Sequence, residues 1–401
     1  MPPSPPYGVV WLLFVLAWVT NYLIRMALAA LLPLVMADLA LSYTAAGALT
    51  SVFFGAYAAM QFPAGLLGDR FGRRRVIVLG LLAGAAASAA TALVASFAAL
   101  LAVRLVTGAA QGCLFSNDRA IIAAVTPRDK IALGQGVSFA GPGLGLALGL
   151  VAAGMLGEVM PWRAVFLLFA LPPLGAAALI ARVVPETARA AAPEPLRARL
   201  GRVLGQRDLW LLGLSATAVM WVQYVVATWA PVLFVEGGVS ELGRAGLYSG
   251  LLGLAGVAGL LAGGWLGDVG ARSGLSRRTV LAASYLPMTL ATMALAVAVQ
   301  RGAPVGALAA ALAVVACCAW GVWGPSFALL GEVFSGRDVS TAFGLYNAVC
   351  VLGAVVGPAL TGWTRDVTGS FAAGCYVSAA VALAGGAVVL AVRTTPARVP
   401  G

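Results

Sequence analysis

Long uncharged apolar stretches recur along the whole chain, and they constrain its fold more than any other feature. Examples are 39–68, 76–103, 131–157, 209–235, 279–300 and 339–364. Each exceeds the ~20 residues that a helix rising 1.5 Å per residue needs to cross a ~30 Å hydrocarbon layer. Only 10% of the residues are charged, against roughly 25% in an average soluble domain. The pattern therefore predicts an all-α membrane protein.

Charged and turn-forming segments divide the chain into twelve predicted spans. These spans are 8–36, 44–67, 76–96, 98–122, 131–156, 164–184, 209–235, 246–267, 279–300, 305–330, 340–362 and 371–392. Residues 1–184 form a first half of six spans, 185–208 a cytoplasmic linker with soluble composition, and 209–401 a second half of six spans.

The distribution of basic residues predicts the orientation. With the N-terminus inside, 19 of the 25 basic residues fall in cytoplasmic segments, and the periplasmic loops hold only Arg163, Arg244, Arg301 and Arg365. Cytoplasmic loops of membrane proteins carry such an excess, so both termini are expected in the cytoplasm, at a cell inner membrane. A net charge of +11 would also suit a nucleic-acid partner, but the arginines punctuate the apolar runs instead of forming one patch. No nucleic-acid partner is expected.

The composition argues against enzyme chemistry. The chain has no histidine, and its five cysteines lie inside apolar runs, which suggests neither a metal site nor a disulfide framework. No nucleophile with a base, metal cluster or phosphate loop occurs in a polar segment. We expect no cofactor, no metal and no enzymatic activity, and the N-terminal MPPSPPYG has no basic region typical of a cleaved signal peptide.

Two short motifs are repeated between the halves. GLLGDRFGRRR at 65–75 corresponds to GWLGD at 264–268, an offset of 199 residues. A second echo relates Arg128, Asp129 and Gly134 to Arg337, Asp338 and Gly344. Parallel repeats of this kind occur in transporters whose site lies between the halves near the bilayer midplane.

The first motif resembles the loop motif of the major facilitator superfamily, G-x-L-A-D-R-x-G-R-K-x. The matching residues are Gly65, Leu67, Asp69, Arg70, Gly72 and Arg73. The resemblance implies two pseudo-symmetric six-helix halves that work by alternating access. It also implies that Asp69, Arg70 and Arg73, with Asp268 in the second half, gate the cytoplasmic side. A positive-inside anchor would explain the arginines but neither Asp69 nor the glycines.

A second motif resembles the organic-anion and sugar-acid symporters of that superfamily. RLVTGAAQG at 104–112 is similar to the span-four pattern R-x-x-x-G-x-x-Q/E-G. The branch typically carries Tyr-x-Asp-Arg in span one and Glu in span four. Here the acids are absent, since 22–25 reads YLIR and Gln111 takes the Glu position. Proton coupling through that acidic pair is therefore not expected.

Arg25 and Arg104 lie inside predicted spans, where a charged side chain costs roughly 2.5–3.5 kcal/mol on insertion scales. Helical spacing puts Asn21 and Tyr22 on the face of Arg25, and it puts Gly108, Gln111 and Asp118 on the face of Arg104. These faces are expected to line a wet cavity with a charge of about +2 that an anionic substrate neutralises. All fourteen acids are assigned to loops or span ends. The alternative is that carbonyls or a partner carboxylate neutralise the arginines.

The second half offers neutral substrate contacts in this scheme, and Asp118 offers a proton site. The predicted neutral contacts are Gln223, Tyr224, Trp320, Tyr346 and Asn347.

The sequence leaves several functions open. The leading prediction is a monomeric carrier of a small organic anion, a carboxylate, by exchange or proton-coupled symport. Gly141, Pro142 and Gly145 resemble a motif of drug/proton efflux antiporters, which keeps that alternative open. A membrane sensor with a transporter fold is the third.

Overall fold

The computed structural model describes residues 6–127, 130–187, 196–334 and 339–393. All the regular secondary structure in these ranges is helical. The helices are α1 Tyr7–Leu39, α2 Tyr43–Phe71, α3 Arg73–Thr91, α4 Phe97–Gly112, α5 Phe115–Val125, α6 Ile131–Val159, α7 Trp162–Phe169, α8 Leu171–Val183, α9 Leu196–Leu204, α10 Arg207–Glu236, α11 Leu242–Arg272, α12 Arg277–Gln300, α13 Val305–Gly321, α14 Trp323–Val333, α15 Val339–Cys350, α16 Leu352–Thr368 and α17 Ala372–Val389.

The described residues form twelve helical stretches long and apolar enough to cross a membrane. The predicted all-α fold with twelve spans is therefore confirmed. Four spans consist of two helices each, namely α4 with α5, α7 with α8, α13 with α14 and α15 with α16. Several helices extend beyond their predicted spans, as α11 does at Leu242–Arg272 against 246–267, because helix geometry continues past the hydrocarbon layer.

Contacts between Cα atoms divide the chain into two units. The first contains Met1–Ala191 with Ala227–Leu254, and the second contains Ala192–Val226 with Ala255–Gly401. The predicted division at 185–208 placed 227–254 in the second half, whereas these contacts group that segment with the N-terminal helices. The halves inferred from the sequence repeat stay a prediction. Arg128, Asp129, Arg337 and Asp338 of the second echo lie outside the described residues.

In the first unit, α1 packs along α6 and α2 packs along α4. Glycines permit both close approaches. A Cβ on Gly145 of α6 would collide with Tyr22 of α1, and Cβ atoms on Gly108 and Gly112 of α4 would collide with the backbone carbonyls of Phe53 and Tyr57 of α2. Small residues let membrane helices approach at backbone distance. These two interfaces position the buried arginines.

Asp118 was predicted to lie near the end of the span 98–122. It lies with Arg119 in α5, which continues to Val125. Asp118 is fully buried, with a relative exposure of 0%. The fourth helical span therefore contains an ion pair between Asp118 and Arg119.

Candidate functional site

Arg25 is buried in the first unit, with 3% of its surface exposed. Its Nε donates to Oε1 of Gln111 on α4 at 3.1 Å. Four aromatic rings surround its guanidinium carbon. The ring centroids lie at 4.3 Å for Tyr22, 5.0 Å for Phe53, 5.4 Å for Phe54 and 5.0 Å for Tyr57. Ring faces attract cations electrostatically, most strongly where water is excluded.

Arg104 is equally buried, with 3% exposure. Its Nε lies 3.5 Å from the carbonyl oxygen of Leu49, and its guanidinium carbon lies 4.5 Å from the Phe53 ring centroid. Among the described residues, neither of these contacts of Arg104 is with a carboxylate. Phe53 thus contacts both guanidinium groups, and the two positive charges are near neighbours.

Gln111 joins α1 to α4 from within the site. Its Oε1 accepts from Arg25, and its Nε2 donates to the backbone carbonyl of Asn21 at 2.9 Å. The orientation of the amide is fixed because both ends are used. The structure brings together several of the predicted substrate residues. Tyr22 and Gln111 contact Arg25, and the backbone oxygen of Asn21 accepts from Gln111. Arg104 lies beside the same Phe53 ring as Arg25.

Sequence reasoning missed the three aromatic residues of α2. Phe53, Phe54 and Tyr57 are buried, and Phe53 and Tyr57 are stacked with a centroid distance of 6.3 Å and an interplanar angle of 14°. Phe53 and Tyr57 are four residues apart, as are Gly108 and Gly112 on α4. This matching spacing is the sequence signal that could have revealed the aromatic residues. Gly108, which helical spacing placed on the face of Arg104, clears space for the backbone of Phe53.

The sequence left two possibilities for the arginines: they line a wet cavity, or carbonyls or a carboxylate neutralise them. Both arginines are almost fully buried, and their positive charge is met by an amide oxygen, a carbonyl oxygen and aromatic faces. The partners described for Arg104, a carbonyl oxygen and a ring, carry no formal negative charge.

The candidates of the second unit occupy different surroundings. Gln223 is 7% exposed, and its Nε2 has no hydrogen-bond partner among the described residues. Trp320 packs against Gly256, and Tyr346 shares a 2.6 Å hydrogen bond with Ser326. Tyr224 is buried, and the backbone oxygen of the half-buried Asn347 accepts from the Cys350 thiol at 3.1 Å. Gln223 is therefore the candidate whose polar group is most available to a ligand.

Asp118 belongs to a polar cluster that joins α1, α5 and α6. Its Oδ2 lies 2.9 Å from Nη2 of Arg119, accepts from Trp18 Nε1 at 2.8 Å and lies 3.4 Å from Ser138 Oγ. Arg119 also donates to the carbonyl of Gln135 at 2.8 Å. The predicted proton site is thus a buried, paired carboxylate.

The predicted gating motif connects α2 to α3. Arg73 donates to Asp69 at 2.9 Å, and Arg70 lies exposed over the ring of Phe71. The next residue, Arg74, donates to the carbonyl of Val184 at 3.1 Å.

Two acids near the gating motifs were missed by sequence reasoning. The carboxylate of Glu186 accepts from the backbone N–H of Arg74 at 3.1 Å, within the first turn of α3. In the second unit, Arg277 lies 3.5 Å from Glu332, while the exposed Asp268 offers its backbone oxygen to Arg272 at 3.3 Å. Neither Glu186 nor Glu332 belongs to a motif, so sequence reasoning did not single them out.

The family comparison agrees with this architecture. The Major Facilitator Superfamily profile matches residues 13–275. The chain belongs to the Major Facilitator Superfamily. It is therefore a multi-pass membrane transporter for a small molecule and not an enzyme, as predicted.

Within the superfamily, the chain is most similar to the organic-anion and sugar-acid branch. It is 27% identical to the hexuronate transporter of Bacillus subtilis (strain 168), over 94% of this chain and 90% of the relative. It is 29% identical to the 3-(3-hydroxy-phenyl)propionate transporter of Escherichia coli (strain K12), over 74% of this chain and 72% of the relative. A crystal structure of a bacterial homolog of the human lysosomal transporter Spinster superposes with a TM-score of 0.82 at 17% identity, covering 98% of this chain and 100% of the other. That likeness shows the shared fold.

Proposed function

We propose that this superfamily member carries a small organic anion, a carboxylate, across a cell inner membrane by alternating access. The observation that supports this most is the pair of buried arginines, Arg25 and Arg104, whose guanidinium groups both contact the ring of Phe53. Two buried positive charges favour an anionic ligand, since guanidinium groups bind carboxylates through paired hydrogen bonds.

The relatives named for hexuronate and for 3-(3-hydroxy-phenyl)propionate are consistent with a carboxylate substrate. Both ligands carry a carboxylate, although one is a sugar acid and the other an aryl-substituted acid. We therefore place the carboxylate at the arginines, and we propose that Gln223, Tyr224, Trp320, Tyr346 and Asn347 of the second half supply neutral contacts. The unpartnered Nε2 of Gln223 suits a substrate oxygen.

The remaining features of this proposal follow the charge pattern and the motifs. Both termini face the cytoplasm, the carrier acts as a monomer, and Asp69, Arg70, Arg73 and Asp268 gate the cytoplasmic side. Coupling is by anion exchange or by proton symport, with Asp118 as the candidate proton site.

A drug/proton efflux antiporter is the alternative function. Gly141, Pro142 and Gly145 suggested it, but the two glycines have a packing role, since Cβ atoms there would collide with Trp18 and Tyr22 of α1. A pump for lipophilic cations is also expected to hold a buried acid at its binding site, whereas this site holds the buried Arg25 and Arg104. The antiporter motif therefore carries little weight here.

Uptake into proteoliposomes tests the proposal directly. Labelled hexuronates and aryl propionates should accumulate, and Arg25→Gln or Arg104→Gln should abolish that uptake. Arg163→Gln is the matched control, because Arg163 pairs with Asp38 at 2.7 Å away from the site. Uptake of a lipophilic cation but of no carboxylate would contradict the proposal and favour the antiporter.

A further inference from the structure

The gating motif at 65–75 packs against the start of α5 through its first two glycines. A Cβ on Gly65 would lie 3.7 Å from Ser116 Oγ, and a Cβ on Gly68 would collide with the side-chain amide of Asn117. Ser116 and Asn117 both lie in the first turn of α5. The two glycines therefore let α5 lie directly on the motif.

The side-chain amide of Asn117 is buried, and its orientation is fixed. The residue is 1% exposed, and its Nδ2 donates to the backbone oxygens of Ala64 in α2 and of Cys113, both at 3.0 Å. Because carbonyl oxygens can only accept, the nitrogen and not the oxygen of the amide must face them. The remaining atom, Oδ1, is buried and has no hydrogen-bond partner among the described residues. Native proteins usually supply a donor to such an acceptor, since leaving it unpaired is destabilising.

The side chain of Arg73 passes the same glycine. A Cβ on Gly68 would lie 3.1 Å from Arg73 Cγ as well as against the Asn117 amide, so these two side chains are neighbours. The Arg73 side chain is only 18% exposed, whereas that of its partner Asp69 is 47% exposed. Their hydrogen bond uses Nη2 of Arg73, and a guanidinium has five N–H donors. In the described part of the chain, Arg73 thus brings further donors close to an acceptor that lacks one.

The two acceptors beside Arg73 differ in charge and in hydration. Asp69 carries a full charge but is half exposed, and exposed ion pairs contribute little to stability. Asn117 is neutral but buried, and a hydrogen bond from a charged donor is stronger than one between neutral groups. The free-energy difference between the two bonds is therefore small enough for a conformational change to reverse it.

We propose that Asn117 is a positioning residue of the gate, and that Arg73 exchanges its bond to Asp69 for one to Asn117 Oδ1 during the transport cycle. The bond to Asp69 is the one present in this structure. The bond to Asn117 holds the motif against α5 in the alternate conformation. This inference rests on the proposed gating role of the motif, to which it adds a residue of α5 and a second position of the arginine.

A cycle of single and double variants tests the exchange through transport kinetics. Asn117→Ala should lower the kcat of hexuronate uptake into proteoliposomes roughly tenfold, the effect of one hydrogen bond to a charged group. The KM should change by no more than about twofold, because the buried arginines are not altered. In the Arg73→Met background, which keeps the apolar stem and removes the donors, Asn117→Ala should change kcat by less than about twofold. If Asn117→Ala lowers kcat equally in both backgrounds, the residue only packs α5 on α2 and the inference is wrong.

A matched control removes a different buried hydrogen bond at the other end of α5. Thr126 accepts from Trp11 Nε1 at 2.9 Å, and Thr126→Val should change kcat by the same factor with and without Arg73→Met. Asn117→Ser replaces the alanine variant if that variant does not fold. Serine can still donate to the carbonyl of Cys113 four residues earlier, but it is too short to reach Arg73.

A substrate-independent measurement separates this inference from the choice of anion. Spin labels at Arg75→Cys and Ser273→Cys, both exposed positions, report the populations of the gate states through the distance between them, in a background whose five native cysteines are alanine. Asn117→Ala should change the ratio of these populations at least threefold when Arg73 is present and leave it unchanged in Arg73→Met.

The outcomes of the two experiments are distinct. Populations that respond to Asn117→Ala equally in both backgrounds would overturn the exchange even if hexuronate is carried. A response that depends on Arg73, without uptake of any carboxylate, would refute the proposed substrate and leave the exchange established. If Asp69→Asn and Arg73→Met alter neither kcat nor the populations, the gating role itself is wrong, and the exchange with it.

Discussion

Replacing Gln111 with glutamate would place a carboxylate where a neutral amide now accepts from Arg25. The Arg25 Nε lies 3.1 Å from Gln111 Oε1, and both side chains are nearly fully buried. At acidic pH the introduced group is a neutral carboxylic acid. It can accept from Arg25 and donate to the Asn21 carbonyl, as Gln111 does. At higher pH it becomes an anion that competes with the substrate for Arg25.

The magnitude follows from the distance between the charges. A separation of about 4 Å at an effective dielectric constant of about 20 gives an attraction of ~4 kcal/mol. Desolvation of the carboxylate and loss of the ~1 kcal/mol hydrogen bond to Asn21 oppose it. If about half survives, ~2 kcal/mol is removed from anion binding, which corresponds to a roughly thirtyfold weaker affinity.

The assay is the concentration dependence of carboxylate uptake at two pH values. Gln111→Glu should raise the KM about thirtyfold at roughly pH 8 and return it toward the wild-type value at roughly pH 5.5, because protonation removes the competing charge. Gln61→Glu, on the buried glutamine of α2, is the matched control and should not show this pH dependence. A KM within threefold of wild type at the higher pH, or a weakening that is the same at both, would refute the assignment of Arg25 to the substrate.

Three further predictions follow from the surrounding contacts. Asp69→Asn should lower kcat more than it raises KM, because it removes the 2.9 Å bond to Arg73 in a gating segment outside the site; weakened binding with unchanged turnover would contradict this. Gly108→Ala should destabilise the protein by at least ~2 kcal/mol in thermal unfolding, since the new Cβ overlaps the Phe53 backbone; Gly136→Ala, where a Cβ meets open space, should not. Asp118→Asn should lower stability by about 3 kcal/mol by leaving Arg119 without its carboxylate, and unchanged stability would show that the pair is dispensable. If Asp118 also carries the coupled proton, its loss should abolish the stimulation of uptake by an acid-outside gradient.

The spans and the two arginines were predictable from the sequence because each depends on one large energy term. Long apolar runs cross a membrane whatever their neighbours are, and a charge within such a run implies a function. The contacts of Phe53 with the two arginines were not predictable in this way. Aromatic residues are common in membrane helices, and the contact of Phe53 with Arg104 depends on how closely Gly108 lets α2 approach α4.

Asp118 shows the opposite difficulty. The sequence analysis placed this residue near a span end and named it as a proton site. The residue is buried because Trp18, Ser138 and Arg119 supply its hydrogen bonds from three helices. Pairing of this kind depends on tertiary packing and cannot be predicted from one sequence. The same holds for Glu186, whose contact with Arg74 joins residues 112 positions apart.

The surroundings of the arginines affect the cost of moving the empty carrier, and hence the mode of transport. An empty carrier that moved two uncompensated positive charges through the membrane would favour anion exchange over net transport. The structure places an amide oxygen, a carbonyl oxygen and four ring faces around these charges. Each desolvated cation–π contact offers up to about 2 kcal/mol, comparable with the 2.5–3.5 kcal/mol insertion cost of a charged residue. The compensation is therefore of the same order as this cost, and we expect the aromatic residues of α2 to influence whether exchange or net flux is faster.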